Sequence, residues 1–346
     1  MKAPSLILRS LFSLFIFSIL ILSGCSKDSS QDPNEDANVS ATNLNDDFEL
    51  TFLTSPWPPD ALNYLAQEKG FFEANDVNVE LLWADGYEET FDFVESGDLD
   101  VWNTTLLDAV AYQAENNLGQ AIFVQDYSAG ADAVVSMSNF DSIADLKDKK
   151  VGVEQGTVGE FFLEILLERE GLSLADLEVV DTSSEAVLAA LESGDIDAGV
   201  CYEPCPTDVL SLEGNVIVDS AKERNLIVDV YVAKESHFLQ YKDEYVKALS
   251  AITDAGEYFN EFPEESAEIM SEVLDMSPEE IIATFEGLRI PDFRENQTAF
   301  NRSSGFSSLY NLANLASQYL EEQGLIDSSF EVDRLINSTL IDSINR

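Results

Sequence analysis

Two nearly identical hexapeptides constrain the fold more than any other feature of this sequence. They are Glu95-Ser96-Gly97-Asp98-Leu99-Asp100 and Glu192-Ser193-Gly194-Asp195-Ile196-Asp197. Each stands where a helical pattern stops and an apolar strand begins, and a glycine is a common way to end a helix. One copy would say little. Two copies in the same local setting predict two lobes that are built alike.

The segments around both hexapeptides alternate between strand and helix patterns. Alternation of this kind is typical of parallel sheets covered by helices, so we predict an α/β fold. The predicted strands span residues 48–53, 77–81, 99–102, 150–154, 177–180 and 227–233. After the last of them the chain is predicted to be helical nearly to its end, and this extension is expected to pack back on the first lobe.

The first 47 residues are predicted to be an export signal followed by a tether. A basic start and an apolar run from Leu11 to Leu22 lead into Ser23-Gly24-Cys25, which has the form of a lipobox. The run is shorter than the roughly 20 apolar residues that a transmembrane helix needs. Cleavage of residues 1–24 is therefore predicted, with an uncleaved anchor helix as the alternative. The segment resembles bacterial lipoproteins, in which the cysteine is acylated, and the polar residues 25–47 predict a disordered tether.

The charge is extreme for a globular protein. The chain has 18 basic and 66 acidic residues, a formal net charge of −48. This excludes nucleic acid as a partner. Such self-repulsion opposes a compact state at ordinary ionic strength, whereas concentrated salt, with a Debye length of about 3 Å at 1 M, screens it. A salt-rich habitat is predicted, and a merely acidic, soluble surface is the alternative.

Cysteine and histidine are too few for metal or redox chemistry. Besides Cys25, the chain has only Cys201 and Cys205, and its one histidine is His237. A zinc site needs four ligands, so no metal and no cofactor are expected. An oxidising compartment would allow a disulfide between Cys201 and Cys205, and two buried free thiols are the alternative.

Helix caps mark one group of candidate ligand contacts. In parallel sheets, ligands bind beyond the carboxyl ends of the strands, where helices begin. Capping boxes are predicted at Thr157-Val158-Gly159-Glu160 and at Thr182-Ser183-Ser184-Glu185, and Thr104 or Thr105 is predicted to cap a third helix. Such caps present N–H groups and a hydroxyl to a carboxylate or sulfonate, although each of them can serve the helix alone.

Aromatic and acidic side chains form a second group of candidates. Trp57 lies in a proline-bounded loop that suits a lid or a stacking wall, and a place at the edge of the core is the alternative. Tyr127 and Asp132 flank the predicted crossing between the lobes. Tyr202 and Glu203 follow a predicted strand, where Glu203 is either an acceptor for a ligand amine or a solvated acid.

Several of these motifs together resemble a known family. Lys150-Val151-Gly152-Val153 with Gly156-Thr157, the paired Gly-Asp-x-Asp turns and Tyr202-Glu203-Pro204 are similar to the ABC-importer solute-binding proteins of the nitrate, sulfonate and taurine class, which also includes binders of thiamine-pyrimidine precursors. The resemblance covers about residues 48–323. It implies the periplasmic-binding-protein type 2 fold, with two α/β lobes joined by a two-strand hinge. Lobe one would comprise 48–130 and 229–346, and lobe two 131–228. The ligand-facing residues it implies are Trp57, Asn103, Thr104, Gln155, Gly156, Thr157, Tyr202 and Glu203.

The resemblance implies a receptor and not an enzyme. We expect a monomeric lipoprotein on the periplasmic side or the cell surface, anchored in the bilayer through Cys25, that delivers a small molecule to an ABC permease. The predicted loops contain no Arg, Lys or His, unlike oxyanion binders, which argues against nitrate or bicarbonate. An amine-bearing or pyrimidine ligand suits the aromatic and acidic candidates better, and a sulfonate or taurine-like ligand held by helix N-termini stays open. The alternatives are an enzyme similar to thiamine-pyrimidine synthases, which use a histidine and a cysteine cluster, and a ligand sensor for a signalling partner.

Overall fold

Two β-sheets form the framework of the protein. The computed structural model describes residues 48–97, 99–116, 119–223, 225–327 and 330–344. The predicted export signal, Cys25 and the tether lie outside these residues and stay predictions. The strands are β1 (Leu50–Thr54), β2 (Val79–Trp83), β3 (Val101–Thr105), β4 (Gln120–Ser128), β5 (Asp132–Ser136), β6 (Lys150–Val153), β7 (Glu178–Asp181), β8 (Ala198–Tyr202), β9 (Asn215–Asp219), β10 (Val228–Ala233) and β11 (Leu288–Arg289).

Helices follow most strands and make up the C-terminal part of the chain. Within the described residues, no helix is both long and apolar enough to span a membrane. The α-helices are α1 (Ala61–Glu68), α2 (Phe71–Ala74), α3 (Tyr87–Ser96), α4 (Leu106–Asn116), α5 (Val158–Arg169), α6 (Val187–Ser193), α7 (Cys205–Ser211), α8 (Glu235–Gln240), α9 (Lys242–Glu261), α10 (Pro263–Met270), α11 (Pro278–Glu286), α12 (Phe293–Ala299) and α13 (Leu309–Glu322).

The two sheets repeat one arrangement of strands. The described residues form a sheet in the order β11-β4-β10-β3-β1-β2 and a second in the order β7-β6-β8-β5-β9. β1 is parallel to β2 and β3 in the first, as β6 is to β7 and β8 in the second. Next to them lies an antiparallel strand, β10 in the first sheet and β5 in the second. The prediction of two similarly built α/β lobes is confirmed.

Each repeated hexapeptide ends a helix and bonds to a neighbouring strand in its sheet. Gly97 (φ 82°) and Gly194 (φ 76°) end α3 and α6 in the left-handed conformation that glycine adopts without strain. The last residue of each hexapeptide, Asp100 or Asp197, then accepts a hydrogen bond at 2.9 Å from the backbone of Thr51 in β1 or Lys150 in β6. Each turn is thereby fixed to the neighbouring parallel strand.

The hydrophobic cores of the two lobes differ in extent. A large cluster around the first sheet includes Phe52 and Tyr231 and also takes in Leu309 and Leu320 of α13, so this C-terminal helix packs on the first sheet. The second sheet has a smaller cluster on each face, one around Phe162 and the other around Val187.

The chain crosses between the sheets twice, after β4 and after β9. Ser128 and Ser220 join the two crossings through an Oγ to Oγ hydrogen bond of 2.6 Å, and the Gly130 N–H donates to Ser220 Oγ at 2.8 Å. The Ala131 N–H donates to the Gly287 carbonyl at 3.0 Å. The predicted two-strand hinge is therefore present, while the lobe boundaries at residues 130 and 228 remain predictions.

Candidate functional site

The predicted ligand residues gather at the carboxyl ends of parallel strands in both sheets. Trp57 follows β1, Thr104 lies near the end of β3, and Tyr202 ends β8. The Trp57 and Tyr202 rings meet edge to face, with centroids 6.0 Å apart and planes at 83°. We call the region between these two rings and the starts of β5 and β10 the cleft. The contact between the rings connects the two lobes across it.

The loop of Trp57 is held by an aspartate beneath it. Asp60 Oδ2 accepts hydrogen bonds from the Ser55 N–H at 2.9 Å and the Ser55 hydroxyl at 2.7 Å. The Trp57 N–H donates to Ser55 Oγ at 3.3 Å, and two prolines then begin a short 3-10 helix. The indole N–H of Trp57 donates to Asp126 Oδ2 at 3.3 Å. The indole is therefore oriented by a carboxylate of β4.

Tyr202 and Glu203 lie inside a disulfide loop. Cys201 and Cys205 are bonded, so the disulfide is the alternative that the structure contains. Tyr202 is 39% exposed, and its hydroxyl donates to Glu185 Oε1 at 2.8 Å. Glu203 is half-buried and accepts a hydrogen bond from the Thr207 hydroxyl at 3.0 Å; its burial raises its pKa. Tyr202 thus faces Trp57, whereas the Glu203 carboxylate bonds to α7 of its own lobe.

In the loop after β6, backbone N–H groups donate hydrogen bonds to nearby side chains. Thr157 caps α5 by accepting from the Gly159 N–H at 3.3 Å, but the predicted capping box is not formed, because Glu160 bonds to the Gly156 N–H instead of the Thr157 N–H. Glu160 Oε2 accepts from the Gly156 N–H at 2.8 Å, and Gln155 is exposed. The start of α5 already holds a carboxylate, so it offers little to a second anion.

Two other predicted caps had different outcomes. Thr105 caps α4, because its hydroxyl accepts from the Asp108 N–H at 3.1 Å and donates to Asp108 Oδ2 at 2.8 Å. The predicted capping box at Thr182 is wrong: the Thr182 hydroxyl donates to the Val180 carbonyl at 3.0 Å. The reason is that a 3-10 turn intervenes and delays α6 until Val187.

Asn103 lies in a buried polar network beneath the cleft. Its amide donates to Gln125 Oε1 at 2.9 Å, and Gln125 Nε2 donates to Asp60 Oδ1 at 2.6 Å and to the Tyr231 hydroxyl at 3.2 Å. Thr104, the next residue of β3, is also buried. The network ties β3, β4 and β10 to the loop that carries Trp57.

Four aspartates surround the cleft, of which the sequence interpretation singled out only Asp132. Desolvation raises the pKa of Asp60 and of Asp132 to about 6. It raises the pKa of Asp126 to about 7, and repulsion by the Asp60 and Asp132 carboxylates contributes to this shift. Desolvation raises the pKa of Asp229 well above its ordinary value, with further repulsion from Asp126, Asp132, Asp60 and Asp108.

Asp229 is the least satisfied member of this group. In the strand register it is paired with Asp126 of β4 on one side and with Thr105 of β3 on the other. The residue is half-buried, but its Oδ1 is shielded from water and has no hydrogen-bond partner within the described residues. A signal for Asp126 was present in the sequence: Gln125 and Asp126 interrupt an otherwise apolar strand, and buried polar groups are the informative exceptions.

Arg289 is a basic side chain at the edge of the site. Its guanidinium lies 4.0 Å from the centroid of the Tyr127 ring and donates to Glu295 Oε1 at 2.9 Å and to Asn225 Oδ1 at 2.5 Å. Burial raises the pKa of Tyr127 to about 12. Tyr127 thus serves as the surface on which Arg289 stacks, and nothing in the local sequence at Tyr127 indicated this partner.

No candidate metal site is found at the cleft among the residues that the structure describes. Within the described residues, no group of three or more His, Cys, Asp or Glu side chains is placed to hold a metal ion. Two cavities lie elsewhere: one of about 450 Å³ beside Phe330 and Arg334, and one of about 200 Å³ beside Arg169 and Ile217.

Comparison with known proteins places the chain in a family. A family model described as NMT1/THI5 like matches residues 58–266. A putative binding protein of Brucella abortus is 29% identical over 163 residues, which are 45% of this chain and 50% of the relative; the match thus spans about half the length of that curated relative. A 4-amino-5-hydroxymethyl-2-methylpyrimidine phosphate synthase of Aspergillus parasiticus is 24% identical over 311 residues, 82% of this chain and 85% of the synthase.

A solved structure shares the fold. The periplasmic aliphatic sulphonate binding protein SsuA of Escherichia coli superposes with a TM-score of 0.71 at 15% identity, over 84% of this chain and 92% of SsuA. At that identity the likeness shows the two-lobed periplasmic-binding-protein fold alone. The family model, in contrast, matches more than half of the 346 residues. The chain therefore belongs to the NMT1/THI5-like family.

Proposed function

We propose that this protein is a lipid-anchored, extracytoplasmic solute receptor of an ABC importer, which captures a small molecule between its lobes without changing it. The observation that carries the proposal is the contact of Trp57 from the first lobe with Tyr202 from the second, above the hinge. Family membership supports it, as does the shared fold with SsuA, a periplasmic sulphonate binding protein.

The mechanism is a ligand-controlled closure. A ligand that enters between Trp57 and Tyr202 contacts both lobes only when they are closed, so its binding free energy favours the closed state. Hinge closure around a ligand is the usual movement of two-lobed binding proteins. The closed receptor then docks on a membrane permease and releases the ligand to it.

The electrostatics of the cleft favour an amine-bearing or pyrimidine ligand over a sulfonate. A helix N-terminus attracts an anion, but α5 and α4 already carry Glu160 and Asp108 in their first turns. Asp126 and Asp132 are buried beside the same space. A sulfonate would meet like charges there, whereas N–H groups would find acceptors.

Catalysis is the rival proposal, because the Aspergillus relative is a synthase. The resemblance implies that such synthases use a histidine and a cysteine cluster. Here His237 Nδ1 lies 2.8 Å from the Tyr245 hydroxyl and 3.1 Å from Asp100 Oδ1, at the start of β3 and so at the edge opposite the cleft. Phe48 stacks on Tyr241 beside it, with centroids 4.0 Å apart. These positions favour binding over catalysis.

X-ray scattering with thermal unfolding tests the receptor. In concentrated KCl, amines, aminopyrimidines, sulfonates and oxyanions are added in turn, and a ligand is expected to reduce the radius of gyration and raise the melting temperature. At 100 times Kd the stabilisation is about 2.7 kcal/mol. Trp57→Ala should abolish both effects, and Phe262→Ala, at an exposed aromatic residue of the first lobe, should leave them unchanged. Stabilisation without compaction would argue against closure.

The anchor has a separate test. Full-length protein and Cys25→Ser are expressed in a bacterium that is fed a radiolabelled fatty acid. The full-length protein is expected to carry the label and to sediment with membranes, while the variant stays unlabelled and soluble. Labelling of Cys25→Ser would refute the lipidation of Cys25 and leave the binding function untouched.

A further inference from the structure

A buried carboxylate oxygen in the cleft has no donor. Asp229 Oδ1 is shielded from water and has no hydrogen-bond partner among the described residues. A buried polar atom without a partner costs about 1 to 3 kcal/mol, and a bound molecule that supplies the partner recovers this free energy. Asp229 lies at the start of β10, where the second crossing strand enters the first sheet.

Four other aspartates repel the Asp229 carboxylate. Asp126 faces it from β4, Asp132 from the start of β5, Asp60 from the loop after β1, and Asp108 from α4. Within the described residues, no lysine, arginine or histidine forms an ion pair with Asp60, Asp126, Asp132 or Asp229. The cluster therefore contains no internal counter-charge.

Neighbouring donors are already committed. The indole N–H of Trp57 donates to Asp126, and the Gln125 amide donates to Asp60. The guanidinium of Arg289 donates to Glu295 and Asn225. None of these groups reaches Asp229 in the structure. Among the described residues no donor serves Oδ1, so a donor on a bound molecule can occupy this position.

We infer that the cleft takes an organic nitrogen cation, a protonated amine or amidine on a small planar or apolar body, whose N–H donates to Asp229 Oδ1 and whose charge offsets the repulsion between Asp229 and Asp126. The inference deepens the proposed receptor function and rests on it. The Trp57 and Tyr202 rings lie on the path of entry, and aromatic faces attract cations. The carboxylates of Asp229 and Asp126 thus attract the charge of the cation, and the rings of Trp57 and Tyr202 contact its body.

The test does not require the ligand to be known beforehand. A small-molecule extract of yeast is separated by ion exchange at pH 7 into cationic, neutral and anionic fractions, and each is desalted and adjusted to the same KCl concentration. The melting temperature of the full chain is then measured with each fraction. Because KCl is equal in all samples and each also contains excess EDTA, neither K⁺ nor a divalent metal ion accounts for a difference between them.

The cationic fraction is expected to stabilise the wild type, and Asp229→Asn is expected to lose this stabilisation. Asp275→Asn, which removes an exposed acid of the first lobe, is the matched control and should keep it. Stabilisation by the anionic or the neutral fraction alone would overturn the cation while leaving the receptor intact. Stabilisation by no fraction would count against the receptor function itself.

A ligand-free measurement provides a second test. Asn has nearly the shape of Asp, so Asp229→Asn removes the buried charge without opening a cavity. Its melting temperature without ligand at pH 8 is expected to exceed that of Asp275→Asn by about 2 to 6 °C. An equal or lower value would show that the Asp229 carboxylate does not destabilise the free protein, and would overturn the inference even if a cation binds.

Discussion

The two crossing strands occupy equivalent places in their sheets but treat an aspartate differently. Asp132 of β5 is paired with Tyr202, the last residue of β8, and Asp229 of β10 is paired with Thr105, the last residue of β3. Ser128 hydrogen-bonds to both the backbone and the carboxylate of Asp132. Asp229 Oδ1 has no such partner in the described residues. The topology places an acid at both positions, but only Asp132 is hydrogen-bonded by a side chain of the protein. Asp132 is therefore a structural carboxylate, whereas Asp229 is the one that we propose for the ligand.

The pH dependence of stability should show the largest effect. For a carboxyl whose pKa is raised on folding, the folded state holds more protons than the unfolded state between the two pKa values, so the free energy of unfolding falls as pH rises through that window. The pKa of Asp132 goes from 3.8 to about 6 and that of Asp126 to about 7. Asp132 alone then contributes a loss of about 3 kcal/mol.

We therefore expect thermal stability in fixed high salt to fall from about pH 4 to about pH 7. The stability of Asp229→Asn should fall less steeply with pH, because the substitution removes a group that repels Asp126, Asp132 and Asp60. Asp229 also repels Asp108, which is half-buried. Asp275→Asn should reproduce the slope of the wild type. A stability that is flat or rises over this range would contradict the raised pKa values.

Reduction of the disulfide should have the next largest effect. The loop after β8 is closed by Cys201 and Cys205, whereas the equivalent loop after β3 is held by the Thr105 cap. Closing so short a loop stabilises by about 2 kcal/mol in the chain-entropy model. A phosphine reductant should lower the melting temperature of the wild type and leave Cys201→Ala/Cys205→Ala unchanged. An equal loss of melting temperature in both proteins would show that the reductant does not act through this disulfide.

Ser128→Ala should make Asp132 resemble Asp229. The variant removes a buried hydroxyl that binds the Asp132 N–H at 3.1 Å and Ser220 Oγ at 2.6 Å. We expect a loss of about 1.5 kcal/mol in the free energy of unfolding and a further rise in the pKa of Asp132, seen as a steeper fall of stability with pH. Ser193→Ala, at an exposed helix end, should change stability by less than about 0.5 kcal/mol. Similar losses in both variants would remove Ser128 from its assigned role.

Trp57→Phe should have the smallest effect. It keeps a ring against Tyr202 but removes the indole N–H that donates to Asp126 at 3.3 Å. The expected loss is about 1 kcal/mol in the ligand-free protein, measured by thermal unfolding at pH 7, and it should shrink at pH 4, where Asp126 is protonated. A loss that is independent of pH would assign it to packing of the ring instead.

The sequence was sufficient for the fold because the fold rests on local patterns. The hexapeptides at 95–100 and 192–197 mark two helix ends, and each ends in an aspartate that fixes the next strand. Six predicted strands lie within a few residues of β1, β2, β3, β6, β7 and β10, whereas β4, β5, β9 and β11 were not predicted. The box at Thr182 was wrong because the same residue types also suit a 3-10 turn.

The site was less accessible to sequence reasoning because its contacts are long-range. Asp229 is a single acid in an apolar strand, a pattern that fits a solvent-facing position equally well, and only its register with β4 places it beside Asp126. Arg289 reaches Tyr127 from β11, far along the chain. Trp57 and Tyr202 were singled out individually, but their meeting across the cleft follows from the closure of two lobes, which no local pattern encodes.

The place of β1 in the first sheet has a mechanical consequence. Phe48 stacks on Tyr241, and the strand that follows it lies between β2 and β3, parallel to both. A pull on Phe48 directed along this strand loads its hydrogen bonds in shear, so they resist together, whereas a pull across a sheet edge breaks them one at a time. The point at which the proposed tether joins the folded body is thus suited to bearing tension.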